Sequence, residues 1–255
     1  MAQSMISQDS RQLKSSKFMR KVFPFGSIVP SLLVIILFSI FPIFYALRTS
    51  VYQYILTKPN SHPFIGLKNF SDVVGSYYFK TALINTAVYT AAAVIGVIIF
   101  GFIVALLLNS KIRSAVILKV VILLPWAIPA VVAGLMWKWI LNSDFGIFNG
   151  ILYSLGAIDS YIPFLAEPTL AKVSLILAHI WKEGPLVAIF ILAGLQLIPT
   201  ELYEAAKIDG GGNLTVFRHV TLPLLRSILL VILVYETMMA ILTFDIVYVM
   251  TGGGP

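Results

Sequence analysis

The chain has 255 residues, of which 59% are hydrophobic and only 11% are charged, whereas soluble domains carry about 25% charged residues. This composition indicates a protein that spans a lipid bilayer. Its net charge of +7 needs no nucleic acid partner, because membrane proteins collect Lys and Arg in their cytoplasmic loops. The absence of cysteine excludes disulfides and cysteine-based metal sites, and the three histidines show no ligand spacing, so no metal site is predicted.

Five hydrophobic segments are long enough to cross a bilayer, whose hydrocarbon core is about 30 Å thick. Each is most simply a helix, because unpaired backbone groups are too unfavourable in lipid. The predicted fold class is therefore all-α, a polytopic helical membrane protein with five transmembrane helices. A basic tail, residues 1–22, precedes a membrane domain over 23–255, with predicted spans at residues 23–50, 79–110, 116–140, 172–198 and 222–250.

The distribution of Lys and Arg predicts the orientation of these spans. Residues 11–21 contain five of them and residues 111–119 contain three, whereas residues 142–171 contain three acidic residues and no Lys or Arg. Basic loops stay in the cytoplasm. The N-terminus and the segment between the fourth and fifth spans are therefore predicted to be cytoplasmic.

Two features depart from simple spans in the middle of the chain. Pro125 and Pro129 lie four residues apart in the third span, and such a pair bends or unwinds a helix. Residues 144–156 carry apolar side chains at helical spacing between glycines. A short helix on the outer side is predicted there.

Three charged residues, Lys182, Glu183 and Glu236, fall deep within the predicted fourth and fifth spans. Charges at this depth are unfavourable unless they face a cavity or a partner. Gly184 and Pro185 follow the first two and predict a break in the helix, as in transporters whose broken helices surround a central site. Adjacent residues point about 100° apart on a helix, so Lys182 and Glu183 are not expected to face the same cavity.

Together with tryptophans whose flat faces suit sugar rings, these residues form a candidate substrate pathway: Trp126, Trp181, Lys182, Glu183 and Glu236. The alternative is a structural polar contact, either between helices of this chain or with a partner subunit. A kink at Gly184 and Pro185 would then serve packing alone.

No catalytic motif is present. The glycines at 210–212 and 252–254 lack the Lys and Ser/Thr of a phosphate-binding loop, and neither GxSxG nor HExxH occurs. No catalytic residue is therefore predicted, the chain is not expected to be an enzyme, and no cofactor is assigned to it. If transport is driven by ATP, the energy comes from another subunit.

Residues 199–223 interrupt the hydrophobic pattern between the fourth and fifth spans. Glu204, Ala205 and Ala206 lie on a predicted helix that Gly210 ends, because glycine adopts the left-handed conformation without a side-chain clash. Leu214, Phe217 and Val220 recur every third residue and predict a second, amphipathic helix. The segment is thus read as helix, turn and helix.

This segment resembles the EAA signature of ABC importer permease subunits: E-A-A, three residues, G, nine residues, and I-x-L-P. Here it reads Glu204-Ala205-Ala206, Gly210 and Val220-x-Leu222-Pro223, with valine in place of isoleucine. The resemblance extends over most of the chain through LLPWAIPAVVAGLMWKWI, FGIFNGIL, IWKEGP, LAGLQLIP and FDIVYVMTGGGP. These elements are similar to the carbohydrate-uptake branch, of the maltose and glycerol-phosphate type.

The resemblance implies a set of partners. Two separate ATPase subunits, which use ATP and Mg, would dock on residues 199–223, hereafter the coupling segment, through Glu204, Ala205, Ala206, Asp209 and Gly210. A second permease subunit would complete the pore, and an extracytoplasmic binding protein would deliver a sugar substrate. The location implied is the plasma (inner) membrane of a bacterium or archaeon. Family members have a sixth span after TGGGP, so the final span is expected to be missing here.

Two rival interpretations remain open at the level of sequence. The chain could be a secondary carrier or channel that works without ATP, in which case the coupling segment is incidental. It could also serve only as an inactive partner, since the sixth span is expected to be missing. Co-purification with an ATPase and ATP dependence of uptake separate the first rival from an ABC permease.

Overall fold

The computed structural model describes residues 26, 28–55, 57, 62–109 and 115–254. The basic tail predicted at residues 1–22 lies outside them. The chain divides into two compact units, residues 1–81 and 82–255, which are described separately.

The first unit contains one long apolar helix and a short helix that follows it. Helix α1 covers Ile28–Ser50 and includes a π-helical turn at Ile36–Ile40. Helix α2 covers Lys68–Gly75. The Asn69 amide donates hydrogen bonds to the carbonyl oxygens of Ser50 and Tyr52, at 2.8 and 3.0 Å. Asn69 thereby ties the start of α2 to the end of α1.

Helices also account for the regular structure in the rest of the chain, and the described residues form no strand beyond an isolated bridge in the first unit. In chain order they are α3 Tyr77–Asn109, α4 Ala115–Ala127, α5 Ala130–Ile140, α6 Ile147–Ser154, α7 Pro168–Gln196, α8 Thr200–Ile208, α9 Asn213–Leu224, α10 Arg226–Ile241 and α11 Asp245–Thr251.

Among the described residues, three helices are long and apolar enough to cross a membrane, namely α1, α3 and α7. Two bent pairs, α4 with α5 and α9 with α10, also qualify when each pair is taken as one span. The total is then five. The prediction of an all-α polytopic membrane fold is confirmed.

Two of the proline-containing spans behave differently. The α4–α5 pair bends by 92°, as the prolines at 125 and 129 predict. Helix α7, in contrast, continues without interruption through Gly184 and Pro185, so the predicted break is wrong. Both residues are buried against neighbouring helices. Such packing holds the helix together, since neighbouring groups can accommodate the hydrogen bond that proline removes.

Helices α3, α7 and α10 form the main core of the second unit, around Val97, Ile191 and Ile232. Glycines lie where these helices approach closely. A Cβ on Gly101 of α3 would lie 2.6 Å from the Val187 side chain of α7, and a Cβ on Gly194 of α7 would lie 2.6 Å from the Leu225 side chain. Close approach over small residues is the usual way for membrane helices to pack.

The loop between α5 and α7 is organised around one buried amide. The Asn149 side chain, on α6, donates to the carbonyl oxygens of Asn142 (3.1 Å) and Ile162 (2.9 Å) and accepts from the Ile162 N–H (3.0 Å). Farther along, the Glu167 carboxylate caps α7, and its hydrogen bonds from the backbone of Leu170 and Thr169 hold the pKa of Glu167 below its usual range. The short helix predicted within residues 144–156 is confirmed as α6.

Replacing Asn149 by leucine, which has a similar volume, should unfold this loop. The change leaves the Ile162 N–H without its partner and removes one of the two hydrogen bonds that the Asn142 and Ile162 carbonyl groups each accept, at an expected loss of about 2 kcal/mol. The measurement is thermal unfolding in detergent micelles, together with the rate at which a protease cleaves residues 142–167. Ser154→Ala on the same helix removes only an exposed bond and serves as the control. Unchanged melting and cleavage for Asn149→Leu would contradict this role.

Candidate functional site

The coupling segment has the predicted form of helix, turn and helix. Helix α8 ends in a turn in which Gly210 adopts φ = 79°. The Gly210 N–H donates to the Lys207 carbonyl at 3.0 Å, and the Gly211 N–H donates to the Ala206 carbonyl at 2.9 Å. These two bonds, around a left-handed glycine, form a Schellman motif, which satisfies the last carbonyl groups of a helix.

The two glycines of this turn are constrained in different ways. Gly210 needs its left-handed backbone, but a Cβ there would meet no atom within 4 Å. A Cβ on Gly211 would lie 2.6 Å from the Ala206 oxygen. Gly212, by contrast, has an extended backbone with φ = −71° and open space around it.

The residues predicted to dock an ATPase lie on the accessible surface of this chain. Glu204, Ala205, Asp209 and Gly210 are exposed, and Ala206 is half-buried. The same helix also exposes apolar side chains, Leu202 and especially Ile208, which is 85% exposed. This surface therefore places exposed apolar side chains beside charged and small residues.

The coupling segment is held firmly against the membrane helices. The Thr221 hydroxyl donates to the Tyr203 hydroxyl at 3.4 Å, which links α9 to α8. Phe217 of α9 packs edge-on against Phe102 of α3, with ring centroids 5.7 Å apart. Leu225, which follows α9, is buried in the core. A force applied to α8 would therefore be passed to the core helices.

Two of the candidate pathway residues, Lys182 and Glu183, line one polar cavity of about 140 Å³ with His179, Thr243 and Asp245. The Lys182 Nζ lies 2.8 Å from Glu183 Oε1. The expectation that Lys182 and Glu183 do not face the same cavity is wrong. The backbone directions do differ, but the long lysine side chain reaches back to the carboxylate.

The other three candidate residues lie elsewhere. Glu236 is fully buried, and its Oε2 lies 3.6 Å from Nε2 of His179. Trp181 packs edge-on against Trp137, with centroids 6.0 Å apart, and Trp126 is 41% exposed on α4. Neither tryptophan nor Glu236 lines the cavity beside Lys182. The structure thus brings together two of the five.

Among the described residues, no group of three His, Asp or Glu side chains lies close enough to hold a metal ion. The polar groups of the membrane region occur in pairs instead, Lys182 with Glu183 and His179 with Glu236.

Comparison with known proteins identifies the family. Residues 97–255 match the family described as binding-protein-dependent transport system inner membrane component, which is more than half of the chain. The chain belongs to this family. It is a membrane permease component and not an enzyme.

Full-length relatives agree with this assignment. The permease is 34% identical over 247 residues to the trehalose/maltose transport system permease protein MalF of Thermococcus litoralis, covering 97% of this chain and 83% of that protein. It is 36% identical to the sulfoquinovosyl glycerol transport system permease protein SmoG of Agrobacterium fabrum, covering 89% and 73%. The trehalose permease SugA of Mycobacterium tuberculosis is 29% identical, with 93% and 76% covered.

Solved structures show the same fold. A bacterial ABC transporter that imports the acidic polysaccharide alginate superposes with a TM-score of 0.78 at 21% identity, covering 93% of the permease and 80% of that chain. The alginate transporter in complex with a pentasaccharide-bound periplasmic protein gives a TM-score of 0.73 at 23% identity, covering 86% and 73%. The permease therefore shares the helical fold of these transporter chains.

Two residues that matter in the permease were not singled out as site residues by sequence reasoning. His179 faces Glu236 across the α7–α10 contact, and Asn149 joins three parts of the loop between α5 and α7. A lone histidine or asparagine in an apolar run carries no local pattern. The one available signal was spacing: Glu183 lies four residues after His179, so the two side chains share a helix face.

Proposed function

We propose that this chain is the membrane-spanning permease subunit of an ABC importer that translocates a sugar or sugar derivative. The observation that carries the proposal is the exposed, firmly anchored coupling segment with its E-A-A and glycine spacing, in a chain that lacks an ATPase motif. Its relatives are named as transport proteins for trehalose and maltose and for sulfoquinovosyl glycerol, which favours a sugar.

The assembly that this function requires contains several partners. We propose two ATPase subunits that use ATP and Mg, a second permease subunit that completes the pore, and an extracytoplasmic binding protein that delivers substrate. The family description names binding-protein dependence, and a related transporter was solved with its periplasmic protein. The proposed location is the plasma membrane of a bacterium or archaeon, with the N-terminus in the cytoplasm.

Docking of the ATPase is proposed at Glu204, Ala205, Ala206, Asp209 and Gly210. The exposed Glu204 carboxylate is available to pair with a basic residue of the ATPase. The small alanines permit close approach of a partner backbone, and the turn at Gly210 fixes where α8 ends. Closure of the ATPase would then push α8, and with it α9 and the core helices, so that rigid helices rock around a central site.

The substrate pathway is proposed to include the cavity beside Lys182 and Glu183. An ammonium group and a carboxylate there can donate to and accept from sugar hydroxyl groups. Trp126, exposed on α4, offers an aromatic face that suits a sugar ring, and Trp181 supports the pathway through its edge-on contact with Trp137. Glu236 would act on this pathway indirectly, since it does not line the cavity.

The test of the proposed function is reconstitution of the permease with its partner subunits in liposomes. We expect the purified assembly to contain an ATPase and to import sugar only when ATP is supplied on the side of the coupling segment. Sugar uptake without ATP, by a preparation from which no ATPase co-purifies, would overturn the proposal in favour of a carrier.

Gly210→Trp should abolish uptake while the protein still inserts and folds. The left-handed backbone disfavours any L side chain by about 1–2 kcal/mol, and an indole on the docking surface would obstruct the ATPase. Since a Cβ at this position meets no atom of the chain, the fold itself should survive. The measurements are ATP-dependent uptake and membrane yield.

Gly212→Trp is the matched control for this experiment. It introduces the same side chain two residues away, at an exposed position with an ordinary backbone angle and open space. Uptake by this variant should exceed that of Gly210→Trp at equal yield. Normal transport by Gly210→Trp would contradict the assigned role of the turn.

A further inference from the structure

An open apolar groove of about 390 Å³ lies at the start of α10, where this helix leaves the coupling segment. Leu230 and Leu233, which line it, are 51% and 43% exposed, so the groove is accessible from outside the helix bundle. The side chains that line it include Ile98 of α3, Leu222 and Pro223 at the end of the coupling segment, and Arg226, Leu230 and Leu233 of α10. A cation thus lies beside a cleft that is otherwise apolar.

Arg226 marks the level of this groove in the membrane. It is the exposed first residue of α10, and the nine residues that follow it, 227–235, are uncharged. Such a run belongs in hydrocarbon, and an arginine at its end places its charge among the headgroups. A helix rises 1.5 Å per residue, so Leu233 lies up to about 10 Å deeper than Arg226. The groove therefore fits within one leaflet, about 15 Å of hydrocarbon.

The Arg226 guanidinium is available to bind an anion. In the described part of the chain it takes part in no ion pair, since both ion pairs found there join other residues. The first turn of α10 contains no acidic residue, and none lines the groove. Arginine presents five N–H donors in a planar fork that matches a phosphate group. Basic pockets between transmembrane helices bind anionic lipid headgroups through such contacts.

The dimensions of the groove suit an acyl chain. Its volume, spread over the rise of about 10 Å from Arg226 to Leu233, gives a mean cross-section of about 40 Å². A helix with its side chains is about 10 Å across, which is about twice that cross-section, so a helix of a partner subunit is too wide to enter. An extended hydrocarbon chain is narrow enough, and lipid tails are as apolar as leucine.

We propose that this groove binds one anionic phospholipid, with its phosphate on Arg226 and an acyl chain along Leu230 and Leu233. The lipid comes from the leaflet on the side of the coupling segment, because Arg226 directly follows the bend after that segment. An anionic headgroup is specified by the charge of Arg226, and a diacyl lipid is specified by the apolar groove beneath it.

The site spans the junction between the coupling segment and the membrane. Helices α9 and α10 meet there at a bend of 69°. Leu222 and Pro223 line the groove from before the bend, and Leu230 lines it from after the bend. A lipid seated there contacts both arms and stabilises the angle between them. Binding goes beyond the proposed function and depends neither on an ATPase partner nor on the substrate.

The test is a lipid titration of the whole purified chain in detergent, with bound lipid counted by native mass spectrometry. The probes are phosphatidylglycerol and phosphatidylcholine with identical acyl chains. The wild type should bind one phosphatidylglycerol about fivefold more tightly than phosphatidylcholine, as expected for one arginine near an anionic headgroup. Arg226→Gln should remove this preference, and Arg226→Lys should keep most of it. Arg218→Gln, which removes an exposed arginine that does not line the groove, is the control and should bind as the wild type does.

The acyl-chain part of the site has its own variant. Leu230→Trp fills the groove with an indole and should weaken binding of both lipids. Val231→Trp is the matched control, because Val231 is the next residue on α10, is 67% exposed and does not line the groove. Glycerol phosphate, which carries the charge without chains, should not compete with phosphatidylglycerol.

Three results would overturn the proposal. The first is equal affinity of the wild type for the two lipids, and the second is an unchanged preference in Arg226→Gln. The third is a loss of association with a second permease subunit in Arg226→Gln and Leu230→Trp while lipid binding stays the same. That third result would assign this face to a protein partner instead of a lipid.

Discussion

Glu204→Lys is expected to abolish ATP-driven uptake without preventing insertion or folding. Glu204 is exposed at the middle of α8, and no hydrogen bond or ion pair of its side chain is seen among the described residues, so the fold does not depend on it. In the proposed complex its carboxylate meets a basic residue of the ATPase. Reversal of its charge replaces that attraction by repulsion and should weaken docking at least about 30-fold.

Glu201→Lys is the matched control, since Glu201 is an exposed glutamate on the same helix, three residues earlier. Both variants change the net charge equally, so a general effect of charge on the membrane surface would affect both. We expect Glu201→Lys to retain most uptake and ATPase co-purification, and Glu204→Lys to lose both at equal membrane yield. Equal uptake by the two variants would remove Glu204 from the docking surface.

Gly101→Leu is expected to have the largest effect on stability, because it separates α3 from α7. A Cβ at residue 101 already lies 2.6 Å from a Val187 methyl and 3.3 Å from the Ala188 backbone nitrogen. Even Gly101→Ala should lose about 1–3 kcal/mol through overpacking. The three further carbons of leucine have no space at this contact, so little folded protein should be recovered.

The control for this contact is Gly150→Ala on α6. An added Cβ there meets only the Tyr161 hydroxyl, at an ordinary 3.6 Å. Alanine favours a helix over glycine by about 1 kcal/mol, so Gly150→Ala should be neutral or stabilising while Gly101→Ala destabilises. Melting temperature and the yield of monodisperse protein in detergent give the comparison. Equal melting temperatures for Gly101→Ala and Gly150→Ala would contradict the close contact between α3 and α7 at residue 101.

Several features of this permease followed from local sequence alone. An all-α membrane fold is dictated by apolar runs of sufficient length, because lipid offers no partner to an unpaired backbone group. The bend after Pro125 and the turn at Gly210 are also local, since proline removes a hydrogen bond and glycine alone adopts the left-handed backbone readily. The helix, turn and helix of the coupling segment are also local, since the spacing of E-A-A and Gly210 can be read directly from the sequence.

Contacts between distant parts of the chain were decided only by tertiary structure. The sequence predicted a break at Gly184 and Pro185, yet α7 is continuous because neighbouring helices enclose it. The sequence also predicted that Lys182 and Glu183 do not face the same cavity, but the flexible lysine side chain reaches the carboxylate. His179 and Glu236 are 57 residues apart in sequence and meet only because α7 and α10 pack together. Periodicity describes the faces of single helices, whereas the packing of several helices determines which of those faces meet.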